Sequence, residues 1–230
     1  QLREFVGPGG SLFTLFNFYS LQRPTGLENF LADYDFEIGF NQVSDSKNEQ
    51  SGQGGLLLVD DLGSHPITKP ILGSRLQMLL PRSVGFPEAE NDVSPPGSIL
   101  AHSSDAGQAV GQIQGNKGSV EREGKIPLIA AKLHANDGQP PARLVVAGDS
   151  LFLGNSAIEA GANRDFASLA VNWLLEREHL LAIAPRTVTE YRIDLSRAEM
   201  TSITWLLLLV LPGGTLGLGL LWWHRQMKRS

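Results

Sequence analysis

Residues 203–223 carry no charged side chain. As an α-helix those 21 residues reach roughly 31 Å at ~1.5 Å per residue, enough to cross the hydrocarbon core of a bilayer. Buried helices of soluble proteins seldom run so long without a charge, so the run is read as one transmembrane helix. Trp205 stands near one end, and Trp222 and Trp223 at the other. Those are interfacial positions, where an amphipathic ring is most comfortable. Ser196 and Glu199 have capping-box spacing, which predicts a helix starting in water at Arg197. Pro212, Gly213 and Gly214 fall mid-span and predict a kink that a lipid-embedded helix tolerates.

His224, Arg225, Lys228 and Arg229 crowd the tail. Basic residues beside a span favour the cytoplasmic side. The preceding stretch also holds Arg186, Arg192 and Arg197, so the asymmetry is one of density rather than count. The expected division is an extracytoplasmic domain (1–195), a juxtamembrane helix start (196–202), a transmembrane helix (203–223) and a basic cytoplasmic tail (224–230). At the other end, residues 2–6 look like the last turn of a helix, broken by Gly7, Pro8, Gly9 and Gly10. This reads as the C-terminal part of a longer protein.

The absence of cysteine excludes disulfides, thiolate zinc sites and a cysteine nucleophile. It fits an oxidising compartment. Net charge is −5 with no basic face, so no nucleic-acid partner is expected. At 230 residues, 42% hydrophobic, the chain suffices for one α/β core with an appendage.

Short apolar runs bounded by turn residues predict buried strands at 12–16, 56–59, 128–133 and 144–147, with a weaker one at 98–102. A helix is predicted over 26–34. Another follows Asn163, read as its N-cap, with Phe166, Leu169, Ala170, Trp173 and Leu174 on one face. Stretches 44–55, 85–97, 115–124 and 135–141 read as loops. Alternating strands and helices predict an α/β three-layer sandwich with a mostly parallel sheet.

The block Gly148-Asp149-Ser150-Leu151 follows a buried strand and spells the signature of GDSL hydrolases. A serine nucleophile needs a base within hydrogen-bond reach. After Ser150 the only histidines are His179 and His224, and neither has an Asp three residues before it. The block therefore reads as a turn cap. Asp60, Asp61 and His65 follow the 56–59 strand and offer metal-type donors, but three ligands at this spacing read better as a turn. The GQIQGNKGS segment at 111–119 departs from the phosphate-loop pattern, so nucleotide hydrolysis is not expected. No cofactor is expected. In a parallel sheet, Asp60, Asp61, His65, Asp149, Ser150 and Asn163 would share one crevice and bind a polar ligand or partner loop.

The segments LREFVGPGGSLF (2–13), GLENFL, LLLVDDLGSHPIT (56–68) and ARLVVAGDSLFLGNSAIEAGANRDFASLAVNWLLERE (142–178) resemble the auxiliary proteins of ABC-type transport systems, the group that includes gliding-motility GldG. The likeness covers most of the chain in the same order, except 84–125. It implies an extracytoplasmic domain related to glutamine-amidotransferase-like folds without their Cys nucleophile. It also implies permease and ATPase partners encoded elsewhere. The expectation is a membrane-anchored, non-enzymatic accessory subunit in a bacterial inner membrane. The alternatives are a GDSL-like serine hydrolase using Ser150 and a membrane-anchored ligand or carbohydrate sensor.

Overall fold

The computed structural model describes residues 1–50, 54–87, 97–114, 117–136, 138–177 and 195–228. His179, Arg186, Arg192 and Arg229, and most of the expected 85–97 loop, lie outside these residues. Among the described residues twelve strands form: β1 (Leu12–Leu15), β2 (Glu37–Ile38), β3 (Asn41–Asp45), β4 (Leu56–Val59), β5 (Asp61–Leu62), β6 (Leu76–Leu79), β7 (Val84–Gly85), β8 (Ser98–His102), β9 (Gly107–Gln114), β10 (Lys117–Glu123), β11 (Pro127–Asn136) and β12 (Gln139–Ala147). The α-helices of the described residues are α1 (Leu2–Val6), α2 (Leu27–Ala32), α3 (Asn163–Leu174), α4 (Arg197–Trp205) and α5 (Leu211–Met227).

The central sheet has the order β1-β12-β11-β8-β5. Its β1–β12 ladder is parallel. The other ladders of the described residues, in this sheet and in the smaller β10-β9-β3, β2-β7 and β4-β6 sheets, are antiparallel. The expected mostly parallel sandwich of flavodoxin or glutamine-amidotransferase type is therefore overturned: this is a mixed α/β fold with mostly antiparallel sheets. The cause lies in β11 and β12. They are a hairpin closed at Gly138, φ +72°, within the stretch read as a loop. Their apolar runs are continuous because both faces of the pair are covered, and that pattern resembles a parallel strand.

The alternation along β12 shows the two faces directly. Val145 and Ala147 join a core with Phe166, Leu169, Ala170 and Trp173 of α3. Ala142, Leu144 and Val146 join a second core with Val6, Phe30, Leu31 and Tyr34. All five apolar positions of the α3 stripe are buried. Asn163 is the first residue of α3, with Ala162 at the N-cap, so the expected cap does not form. The 115–124 stretch read as a loop instead contributes β10, paired along β9.

Among the described residues, one helix is long and apolar enough to cross a membrane, spanning Arg197–His224. Its capping box forms: the Ser196 side chain accepts from the Glu199 N–H, and the Glu199 carboxylate accepts from the Ser196 N–H. A π-helical turn, Leu206–Val210, precedes Pro212. Proline lacks an N–H and its ring crowds the carbonyl four residues back, so a wider turn there is the local answer. The helix start is fastened to the domain. Gln50 bridges Ser196, the Arg197 N–H donates to the Glu49 carbonyl at 2.9 Å, and Arg75 pairs with Glu199 at 2.7 Å.

Candidate functional site

The Gly148-Asp149-Ser150-Leu151 block sits where β12 leaves the central sheet. Gly148 exchanges backbone bonds with its neighbours, accepting from the Arg82 N–H at 2.9 Å and donating to the Leu128 carbonyl at 3.0 Å. A Cβ here would overlap the Arg82 carbonyl oxygen, so close backbone approach requires glycine. Asp149 is fully buried. Its carboxylate accepts from the Leu151 N–H and from the Leu79 N–H on β6, both at 2.8 Å. Burial pushes its pKa up to about 6, while the N–H groups of Leu79, Leu151 and Phe152 pull the other way. The Ser150 hydroxyl accepts from the Asn17 side-chain amide at 2.9 Å. The block thus supplies a close approach, a two-way bracket and a turn.

Asn163 bonds to the same strand, β6, as Asp149 does. Its Oδ1 accepts from the Gln77 N–H, and its Nδ2 donates to the carbonyls of Gln77, Phe152 and Ala157, each at 3.0 Å. Asp149, Gln77, Leu79, Phe152 and Ala157 line a cleft of about 440 Å³.

Asp60, Asp61 and His65 go elsewhere. Antiparallel pairing sets Val59 against Leu76 and Leu56 against Leu79. Asp60 therefore follows the far end of the ladder, 3.8 Å from the Arg75 Nε. Arg75 and Leu79 are four residues apart on an extended strand, roughly 13 Å at ~3.3 Å per residue. Asp61 pairs with Lys125 at 2.6 Å. His65 Nδ1 accepts from the Ile67 N–H at 3.2 Å, and its ring packs edge-on against Trp173 at 5.1 Å. Burial, with a smaller push from the Arg143 charge, lowers its pKa to about 4. The six residues expected at one rim thus divide into a β6-facing pair, a serine turned to Asn17, and three residues committed to other partners. Among the described residues, no three His, Asp or Glu side chains gather as metal ligands would.

A different cleft, of about 670 Å³, was not foreseen. Phe18 and Tyr19 line it from a 3-10 turn, Phe18–Leu21, and Phe40, Gln42, Gln112 and Glu121 from the β3–β9–β10 side. Beneath Phe40 lies Arg82, fully buried, its guanidinium 4.7 Å from the Phe40 centroid and 4.8 Å from that of Phe16. Arg82 donates to the Gly39 carbonyl, the Ser20 hydroxyl and the Glu28 carboxylate at 2.7–3.0 Å. Burial lowers its pKa against the pull of Glu28. The aromatic residues were visible in the sequence, but the strands that gather them around polar side chains were not.

Fold and C-terminal helix together define a class: a mixed, mostly antiparallel α/β domain with, among the described residues, one helix apolar enough to span a membrane. No family model and no curated protein matches the chain. Among solved structures, the mmIFT52 N-terminal domain is similar, with a TM-score of 0.55 at 13% identity, covering 75% of this chain and 68% of that one. At that identity the likeness concerns the fold alone.

Proposed function

We propose that this chain is a membrane-anchored, non-catalytic accessory subunit of an ABC-type transport or gliding-motility complex. Its domain lies outside the cytoplasm of a bacterial cell and binds a partner or ligand there. The likeness of its segments to GldG-type auxiliary proteins motivates the reading. The observation that carries it is the junction between domain and helix. Arg75–Glu199, Gln50–Ser196 and Arg197–Glu49 hold the first turn of the apolar helix against the domain. A domain so fastened has a set orientation over the bilayer, which suits a subunit that must meet membrane-embedded partners.

The test is purification of the full-length protein from its own membrane, followed by identification of what accompanies it. Stoichiometric co-purification of an ABC permease and ATPase is the expected result. Isolation without them sinks the transport reading, and labelling of Ser150 by a fluorophosphonate probe sinks the non-catalytic one. A second reading, a membrane-anchored ligand sensor with no transporter, is favoured by the cleft at Phe40. Adjacent ATPase and permease genes would separate the two.

A further inference from the structure

We propose that the cleft between the Phe18–Leu21 turn and the β3–β9–β10 sheet is a binding site for a neutral saccharide. Its volume of about 670 Å³ lies within the usual range of small-molecule sites, ~300–1,000 Å³. Three features show a built site.

The first is a pair of aromatic rings left in solvent, each packed against a neighbouring side chain. Tyr19 is 71% exposed and Phe40 43%. Tyr19 packs on Phe18 at 4.2 Å, and its N–H is fixed by the Asn17 side chain at 3.0 Å. Phe40 rests on the guanidinium of Arg82, which is itself locked by three hydrogen-bonded partners and a second ring. A buried, multiply bonded cation under an exposed ring removes that ring's freedom before any ligand arrives.

The second is a strained backbone at Gln112. Its φ is +49°, in the left-handed region that favours glycine. Such a conformation is strained for a residue with a side chain and persists where the surroundings over-determine it, most often at functional sites. The ladder shows how it arises. Gly111 pairs with Ser119 and Gln114 with Lys117, so two residues of β9 oppose one of β10. Bulges of this kind re-aim a side chain. Gln112 lies in this bulge and lines the cleft.

The third is a second bulge in the same ladder, at Glu121. Val120 pairs with Val110 and Arg122 with Ala109, leaving Glu121 without an opposite residue. Its carboxylate is held by the Asn41 side-chain amide at 3.0 Å. A Cβ at Gly111 would overlap this carboxylate, so the glycine makes room for it. Two independent irregularities in one ladder thus deliver polar side chains to one cleft.

The chemistry of the lining selects the ligand. Among the described residues, the lining holds one carboxylate, several glutamine amides and three aromatic rings, and no cationic side chain. Phosphates and other anions are disfavoured. Amides both donate and accept, as hydroxyl groups do, and a carboxylate accepts from hydroxyls. Aromatic faces cover the C–H face of a sugar ring. An organic cation, which aromatic rings and a carboxylate also attract, is the competing occupant.

The inference goes beyond the accessory-subunit reading and needs neither the permease nor the ATPase. Full-length protein in phospholipid nanodiscs, free of sugar detergent, is titrated calorimetrically with cellotriose, maltotriose, mannotriose and chitotriose, with choline and inorganic phosphate alongside. At least one trisaccharide is expected to bind, with choline and phosphate silent. Tyr19→Ala should weaken that binding tenfold or more without lowering the unfolding temperature, since its ring is mostly in solvent. Gln112→Gly should weaken it tenfold or more while raising the unfolding temperature, because glycine relieves the positive φ. Silence of all four sugars up to about 10 mM, beyond the affinity range of weak specific sites, overturns the proposal. So does binding of choline alone, or sugar binding unaffected by both substitutions.

Discussion

The side-chain amide of Asn163 pairs with the backbone of Gln77 as a neighbouring strand would. Its Oδ1 accepts from the Gln77 N–H and its Nδ2 donates to the Gln77 carbonyl, both at 3.0 Å. Two residues along, Asp149 accepts from the Leu79 N–H. β6 pairs with β4 in a two-stranded sheet, and an uncovered edge there would bury polar backbone groups without partners. Two side chains close that edge instead. They also tie β6 to the chain that follows β12, because Asn163 reaches Phe152 and Ala157 and Asp149 reaches Leu151.

Asn163→Ala should therefore be costly. It leaves the Gln77 N–H and carbonyl buried without this partner, and each such group costs about 1–3 kcal/mol. A loss of about 3 kcal/mol in urea unfolding is expected on that basis. Asn163→Asp should be at least as damaging, since it removes the donors and buries a charge. A loss below about 1 kcal/mol for either would mean that water replaces the amide.

Asp149 predicts a pH dependence whose sign is unusual for a carboxylate. Its folded pKa of about 6 lies above the ordinary 3.8. The folded state therefore binds the extra proton between these values, and the unfolded state does not. The contribution of Asp149 to stability is greatest below about 4 and falls as pH rises to about 6. Asp149→Asn should remove this slope between about pH 4 and 6 while weakening the fold, because one of the two N–H partners then faces an amide nitrogen. A carboxyl carbon resonance titrating near 6 would identify the group; titration near 3.8 would refute the assignment.

Legibility divides along physical lines. The α3 stripe was readable because a helix packed on a sheet must repeat its apolar residues at 3.6-residue spacing, and Phe166 through Leu174 do so. The strand cores were readable as apolar runs. Their direction was not: Leu144 to Ala147 is apolar throughout because alternate residues feed two cores, whichever way its neighbours run. β3, β9 and β10 escaped because strands rich in Gln, Gly, Ser and charge lack an apolar run. Asp149 reads as a turn cap and Asn163 as a helix N-cap in the sequence, but the backbone they share is that of β6, remote in sequence. The positive φ of Gln112 leaves no local mark, since nothing near it signals a bulge.

Trp173 ties α3 to the sheet and to His65. The residue is 5% exposed, with the Arg143 guanidinium 5.0 Å from its ring centroid and the His65 ring edge-on at 5.1 Å. Trp173→Ala should cost about 3–5 kcal/mol, as for other large buried aromatics. It should also open His65 to water, and its pKa should climb from about 4 toward 6.5. In the native protein the folded pKa is the lower one, so the stability His65 contributes is present above about 6.5 and lost as pH falls to about 4. An imidazole that still titrates near 4 in the variant would show that Trp173 is not what dries it.

The apolar helix spans Arg197–His224, and His224, Arg225 and Lys228 follow or close it. At the other end the chain enters through the Ser196–Glu199 capping box, whose donors and acceptors are satisfied before the apolar stretch begins. Glu199 is also paired with Arg75, so its charge stays with the domain and out of the bilayer. The tail's basic residues crowd within a few positions of the span, and their density favours retention on the cytoplasmic side. A reporter fused after Ser230 should be active only in the cytoplasm, and one inserted after Gly138, where the β11–β12 hairpin closes, only outside. Replacing Arg225, Lys228 and Arg229 by Gln should yield a mixed population, because Arg197 then outweighs the tail. A fusion after Ser230 that is active outside the cytoplasm would reverse the topology.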